Sequence, residues 1–180
     1  MLRRKSFLVL LVFLLPLVAS AQTQRRQKAV QPQEEPQWSW DIGLAAGSYD
    51  SYSYTEIDLG LNDRFMSPFN WRNVLWDRFG NTTIDAAGLD SSIRYEFSDA
   101  SPGSRAGFRF FIGPGVRVSS PQYSGGFGEL GLIFRLGGLN LGAGIKDLYY
   151  WSPGKDPNTG APMPTSDLMY FIILSGGGTL

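Results

Sequence analysis

From Trp38 onward, apolar and polar residues alternate. Trp40, Ile42, Leu44 and Ala46 share one parity, and Ser39, Asp41, Gly43, Ala45 and Gly47 the other. A strand sends successive side chains to opposite faces, so residues 38–47 read as a strand with one apolar and one polar face. Residues 52–62 repeat the pattern, with Thr55, Ile57, Leu59 and Leu61 opposite Tyr54, Glu56, Asp58, Gly60 and Asn62. Residues 84–97 set Leu89, Ser91, Ile93, Tyr95 and Phe97 against Asp90, Ser92, Arg94 and Glu96. Residues 106–118 set Phe108, Phe110, Ile112, Val116 and Val118 against Arg109, Phe111, Gly113, Gly115 and Arg117, with Pro114 an awkward member because it lacks a ladder donor.

Residues 127–136 place Leu130, Leu132, Phe134 and Leu136 opposite Glu129, Gly131, Ile133 and Arg135. Gly137-Gly138 is a two-residue hairpin signal, leading into Leu139–Tyr150, where Leu141, Ala143 and Ile145 oppose Asn140, Gly142, Gly144 and Lys146. Residues 151–166 carry four prolines and read as a long loop before a last strand at 167–177. Residues 71–79 fit a strand, with Val74 and Trp76 on one face, or a short amphipathic helix. The strand is favoured because it completes an even count of eight.

Segments of about ten alternating residues separated by turns suit a transmembrane barrel, whose apolar faces meet lipid and whose polar faces line the interior. The expected fold is all-β: an eight-stranded antiparallel transmembrane up-and-down β-barrel. With the N-terminus in the periplasm, the 151–166 loop is external and the Gly137-Gly138 turn periplasmic, as long-loops-out asymmetry requires. The 62–70 connection is longer than that asymmetry predicts.

The chain start points to the same compartment. Arg3, Arg4 and Lys5 precede a wholly apolar run at 7–15, and Ala19-Ser20-Ala21 has the small-residue cleavage pattern. Residues 1–21 therefore read as a signal peptide, too short to span the membrane comfortably as an anchor. Residues 22–37, rich in Gln with two prolines, read as a disordered polar leader, and 38–180 as one barrel domain. The expected location is the outer membrane of a Gram-negative bacterium.

Removing the signal takes three of the sixteen basic residues and none of the sixteen acidic ones, which leaves a net charge of −3. That balance excludes a nucleic-acid partner recognised by charge. The polar faces collect Asp41, Glu56, Asp58, Glu96 and Glu129 together with Arg94, Arg109, Arg117, Arg135 and Lys146. An eight-stranded barrel is only wide enough for side chains to fill, so balanced charges there suggest a paired plug rather than an ion-selective pore. Glycines on the same face (Gly43, Gly60, Gly113, Gly115, Gly131, Gly142, Gly144) are expected to make room for the arginines. Trp38, Trp40, Tyr52, Trp71, Phe97, Tyr149, Tyr150 and Tyr170 fall near strand ends and suit an aromatic girdle better than a ligand-stacking platform. Tyr49, Tyr52, Tyr123 and Trp151 are candidates for contacts outside the barrel.

Catalytic chemistry is sparse. The chain has no His and no Cys, which excludes Ser–His and Cys–His pairs, disulfides and the commonest transition-metal ligands. Glu56 and Asp58 read as interior ion partners rather than an acid–base dyad. Gly176-Gly177-Gly178 lacks the Lys and helix of a phosphate loop. No cofactor or metal is expected.

On this strand pattern, the aromatic strand ends and the signal, residues 38–180 resemble the small eight-stranded outer-membrane barrels of the OmpA-transmembrane-domain, OmpX and OmpW type. The resemblance implies outer-membrane lipid and the barrel-assembly machinery as partners. Such families end on an aromatic residue that the machinery recognises; here Tyr170, Ile172, Leu174, Gly176 and Gly178 keep the parity and Leu180 takes the place of the usual Phe. Some similar barrels modify lipid A through a His-containing site, and no residue here can carry that role. The resemblance thus implies a non-enzymatic barrel with any specificity in its external loops. The alternatives are a narrow pore for small solutes and, third, a soluble barrel that binds an apolar ligand. The oligomeric state is not legible.

Overall fold

The computed structural model describes residues 37–49, 52–80, 86–98, 106–120, 122–155 and 160–176, with only the backbone of Tyr49, Tyr52 and Ser120. The signal segment, all but the last residue of the polar leader, and the chain end with Gly178 and Leu180 lie outside the described residues.

Eight strands follow one another: β1 Trp38–Tyr49, β2 Tyr52–Met66, β3 Phe69–Gly80, β4 Ala86–Ser98, β5 Ala106–Ser120, β6 Gly125–Leu136, β7 Leu139–Tyr150 and β8 Ser166–Gly176. Each pairs antiparallel with its sequence neighbours, and β8 returns to β1, so the sheet closes into a barrel. Closure leaves no strand edge free to pair with another chain.

The registers fix the tilt. Stepping from Ser39 through its partners Asn62, Arg72, Ser92, Gly115, Phe127, Leu148 and Asp167, and continuing the β8–β1 register past Met169↔Gly47, returns to residue 49, ten residues further along β1. A stagger of this size tilts the strands by roughly 35–45° from the barrel axis.

The ambiguous 71–79 segment is strand. β3 ladders to both β2 and β4, and a helix there would leave two open edges in the sheet. Its inward residues are Arg72, Val74, Trp76 and Arg78. The 62–70 connection is shorter than the sequence suggests. β2 runs on to Met66 and β3 begins at Phe69, so the turn is only Ser67-Pro68, with a register shift between Asp63 and Met66. It lies at the same end as the Gly137-Gly138 turn, where Gly137 takes the left-handed φ of +66°. Pro114 points outward, and the β4–β5 ladder skips it and its neighbour between Ser92↔Gly115 and Tyr95↔Ile112.

The two faces of the sheet are inverted relative to a water-soluble sandwich. Outward side chains are apolar and open: Ile42 is 44% exposed, Leu75 49%, Ile112 47% and Ile172 53%. Inward side chains include Glu56 and Arg117, both fully buried. Around the turn end, Phe69, Tyr95, Phe97 and Phe110 form a chain of edge and tilted ring contacts on the outward face. Trp71 donates its indole N–H to Ser91 Oγ at 2.9 Å on the same face.

Candidate functional site

The interior is a lattice of ion pairs to which β1 to β7 contribute. Arg117 on β5 forks onto Glu56 of β2, with Nη1 and Nη2 each 2.9 Å from a carboxylate oxygen, and also holds Asp90 of β4 at 2.7 and 2.8 Å. Arg78 of β3 reaches Glu56 at 2.7 Å, and Lys146 of β7 reaches Asp90 at 2.7 Å. Arg94 grips Glu129 with two bonds of 2.9 and 2.8 Å, and Ser92 adds a third donor. Arg72 and Asn62 together hold Asp41. Planar guanidinium forks satisfy both oxygens of a carboxylate at once, which suits a buried site with little room.

Glu56 is thus committed to two arginines. Asp58, two residues along on the same face, is buried and leaves Oδ1 without a hydrogen-bond partner. Glu96 lies near the turn end, bonded to Arg64, Arg109 and Asn70. Arg135 is half-buried on the inward parity near the same end, opposite Gly107 and Asn140.

Sequence reasoning missed Arg72, Arg78 and Asp167 as interior charges, and it placed Asp90 on the polar face of its strand without counting it in the network. The first two share a strand face with Val74 and Trp76, which hides the polar parity. The signal that could have found them is the pairing itself: Asn62↔Arg72 and Glu56↔Arg78 are register partners.

Aromatic rings fill the space between the charges. Arg117 lies 4.0 Å from the Trp76 ring, Arg94 4.0 Å from Phe111 and Lys146 4.8 Å from Phe127. The inward glycines serve these rings rather than the arginines. A Cβ on Gly131 would strike Phe111, one on Gly144 would strike Phe171 and one on Gly115 would strike Phe127, while Gly60 makes room for Asp41. Gly113 admits the neighbouring β4 backbone at Ile93 and Arg94.

Two aromatic expectations are corrected. Tyr150 is not in the girdle: it shares the parity of Lys146 and Leu148, faces inward and is 3% exposed. Tyr123 does not face outward into solvent but is buried at the loop end of the barrel, with its ring against Tyr150 and beneath it Arg78 at 4.5 Å. Trp38, Trp71, Phe97, Tyr149 and Tyr170 are exposed on the outward face, as Trp40 is in part. The side chain of Tyr52 lies outside the described residues.

The ends of the barrel differ. At the loop end, Tyr54 and Tyr150 hydroxyls both reach Asp167 Oδ2. Tyr123 and Met163, from two loops, are buried, Tyr123 with its ring edge-on to Tyr150; Tyr150 N–H donates to Thr165 O, and Trp151 N–H joins the two loops by donating to Ser124 O. At the turn end a polar vestibule of about 40 Å³ is lined by Ser39, Asn62, Asn70, Glu96, Arg94 and Arg109 among others. That volume is enough for a few waters and too small for a drug-sized ligand. Among the described residues no group of acids suits a metal ion.

Comparison with protein-family models, with curated proteins and with solved structures finds no match.

Proposed function

We propose that the chain is a non-enzymatic outer-membrane β-barrel, plugged by its own charges, whose specificity resides in the loops at the Tyr123–Met163 end. One observation carries this reading: all around a closed sheet, large apolar side chains point outward while most of the charged ones point in. An apolar belt of this extent would drive aggregation in water, and in a bilayer it is the surface that lipid requires. Closure matters equally, because hydrocarbon offers no partners to an open strand edge. The aromatic contacts at the turn end and Tyr149 at the loop end suit the two headgroup levels. The signal-like start supplies the route. Outer-membrane lipid and the assembly machinery are the partners.

The filled lattice supports a plug over a narrow pore, and its charged lining speaks against a soluble barrel for an apolar ligand. The test is fractionation of cells expressing the full chain. The expected result is recovery from the outer membrane only with detergent, and a gel mobility that changes on boiling. Recovery as a soluble periplasmic monomer overturns the reading.

A further inference from the structure

The outward belt is broken at its middle in one place. On β3 the outward series Phe69, Trp71, Asn73, Leu75 is interrupted by Asn73, and on β4 the series Leu89, Ser91, Ile93 is interrupted by Ser91. The two are register partners, so the breaks form a single patch. Around it stand Trp71, Leu75, Leu61 and Ile93, all large and 41 to 50% exposed. Ser91 is accounted for, since it accepts the Trp71 indole N–H. The Asn73 amide has no such partner among the described residues.

On the membrane reading above, on which this inference rests, an amide at mid-height faces hydrocarbon, where an unsatisfied polar group is costly. We propose that two copies of the barrel pair in the membrane through the Asn73–Ser91 patch. A second copy fits this chemistry better than another partner. An amide carries a donor and an acceptor, so it is complementary to itself. Copies inserted the same way up are related by a twofold axis along the membrane normal, which brings equal levels face to face. The Asn73 amide of each copy then donates to that of the other. Carboxylates also point outward, at Asp77 and Asp147 nearer the loop end, but a carboxylate repels its own copy. The tilt contributes as well. Two walls tilted in the same sense cross steeply, so contact is confined to a few side chains about the crossing. A small polar notch ringed by apolar side chains suits that geometry, and a closed sheet excludes pairing by strand addition.

The absence of cysteine makes the test clean. The full chain is folded into phosphatidylcholine vesicles with one added cysteine and mildly oxidised. Leu75→Cys, beside the patch, is expected to give a disulfide-linked dimer; Ile145→Cys, on the opposite wall, is expected to give little. Adding Asn73→Leu to Leu75→Cys should abolish most of the cross-link, and Asn73→Leu alone should raise the dissociation constant in sedimentation roughly tenfold. Equal cross-linking from both walls, no cross-link from either, or indifference to Asn73→Leu overturns the pairing. Folding and insertion are read on the same samples by unheated gel mobility and vesicle flotation. An inserted monomer overturns the pairing alone, whereas a soluble, unbound chain overturns the membrane reading and the pairing with it.

Discussion

Arg117 and Glu56 meet in a two-pronged ion pair across the barrel, although they stand on β5 and β2, three strands apart. Both are completely buried. Such a pair contributes little over a well-packed apolar alternative, but removing one member strands the other. Arg117→Ala leaves Glu56 with Arg78 and Asp90 with Lys146, each short of a partner. The expected loss is about 3–5 kcal/mol. Urea unfolding of the barrel in vesicles, followed by Trp fluorescence, measures it. A loss below about 1 kcal/mol would mean that water compensates freely inside.

The faces of β1 provide a sharper contrast. Ile42 points outward and Asp41 inward, one residue apart. On the proposed membrane reading, Ile42→Arg puts a charge into the outward apolar belt and should destabilise the barrel in vesicles by roughly 2–4 kcal/mol. Asp41→Asn should leave insertion intact and weaken only the grip of Arg72. The same unfolding assay checks both, and a harmless Ile42→Arg would refute the lipid-facing assignment.

Gly144 and Gly128 should respond oppositely to alanine. A Cβ at Gly144 meets the Leu130 carbonyl and the Phe171 ring, whereas at Gly128 it meets nothing within 4 Å. Gly144→Ala is therefore expected to cost about 1–3 kcal/mol through overpacking. Gly128→Ala should be neutral, or stabilising by up to about 1 kcal/mol through a less flexible unfolded chain. Equilibrium midpoints of the two variants decide the matter.

Conductance separates a plug from a pore. Wild-type protein in planar bilayers is expected to show no large steady current, because ion pairs and buried rings fill the interior. Arg94→Ala, which releases Glu129, should lower stability and raise any residual current. A large wild-type conductance abolished by that substitution would establish the arginines as the lining of a working channel.

What the sequence made legible was periodicity. Alternation located eight strands and their two faces, because a side-chain period of two survives whatever the fold does next. β3 was harder, since Val74 and Trp76 lie among interior charges and blur the contrast between faces. Tyr149 and Tyr150 show the limit of proximity to a strand end as a criterion: parity alone sends one outward and the other into the core. Partnerships were not legible. Arg117 with Glu56, or Tyr54 with Asp167, requires the closed order and the ten-residue stagger, which no single strand encodes. The purpose of the glycines was hidden for the same reason, because the ring that Gly131 admits belongs to another strand.

The stagger that carries the registers round the barrel also couples assembly to neutrality. Arg72 finds Asp41 two strands away, Lys146 finds Asp90 three away, and the Tyr54 hydroxyl crosses β1 to reach Asp167 on β8. A half-rolled sheet would have its neighbours zipped but its charges bare, on the proposed membrane reading in the surroundings least able to solvate them. Rolling up is then opposed until the last seam joins, and favoured all at once when it does. The chain should therefore enter its folded state in one concerted step, and a barrel lacking β8 should accumulate no stable seven-stranded form in vesicles.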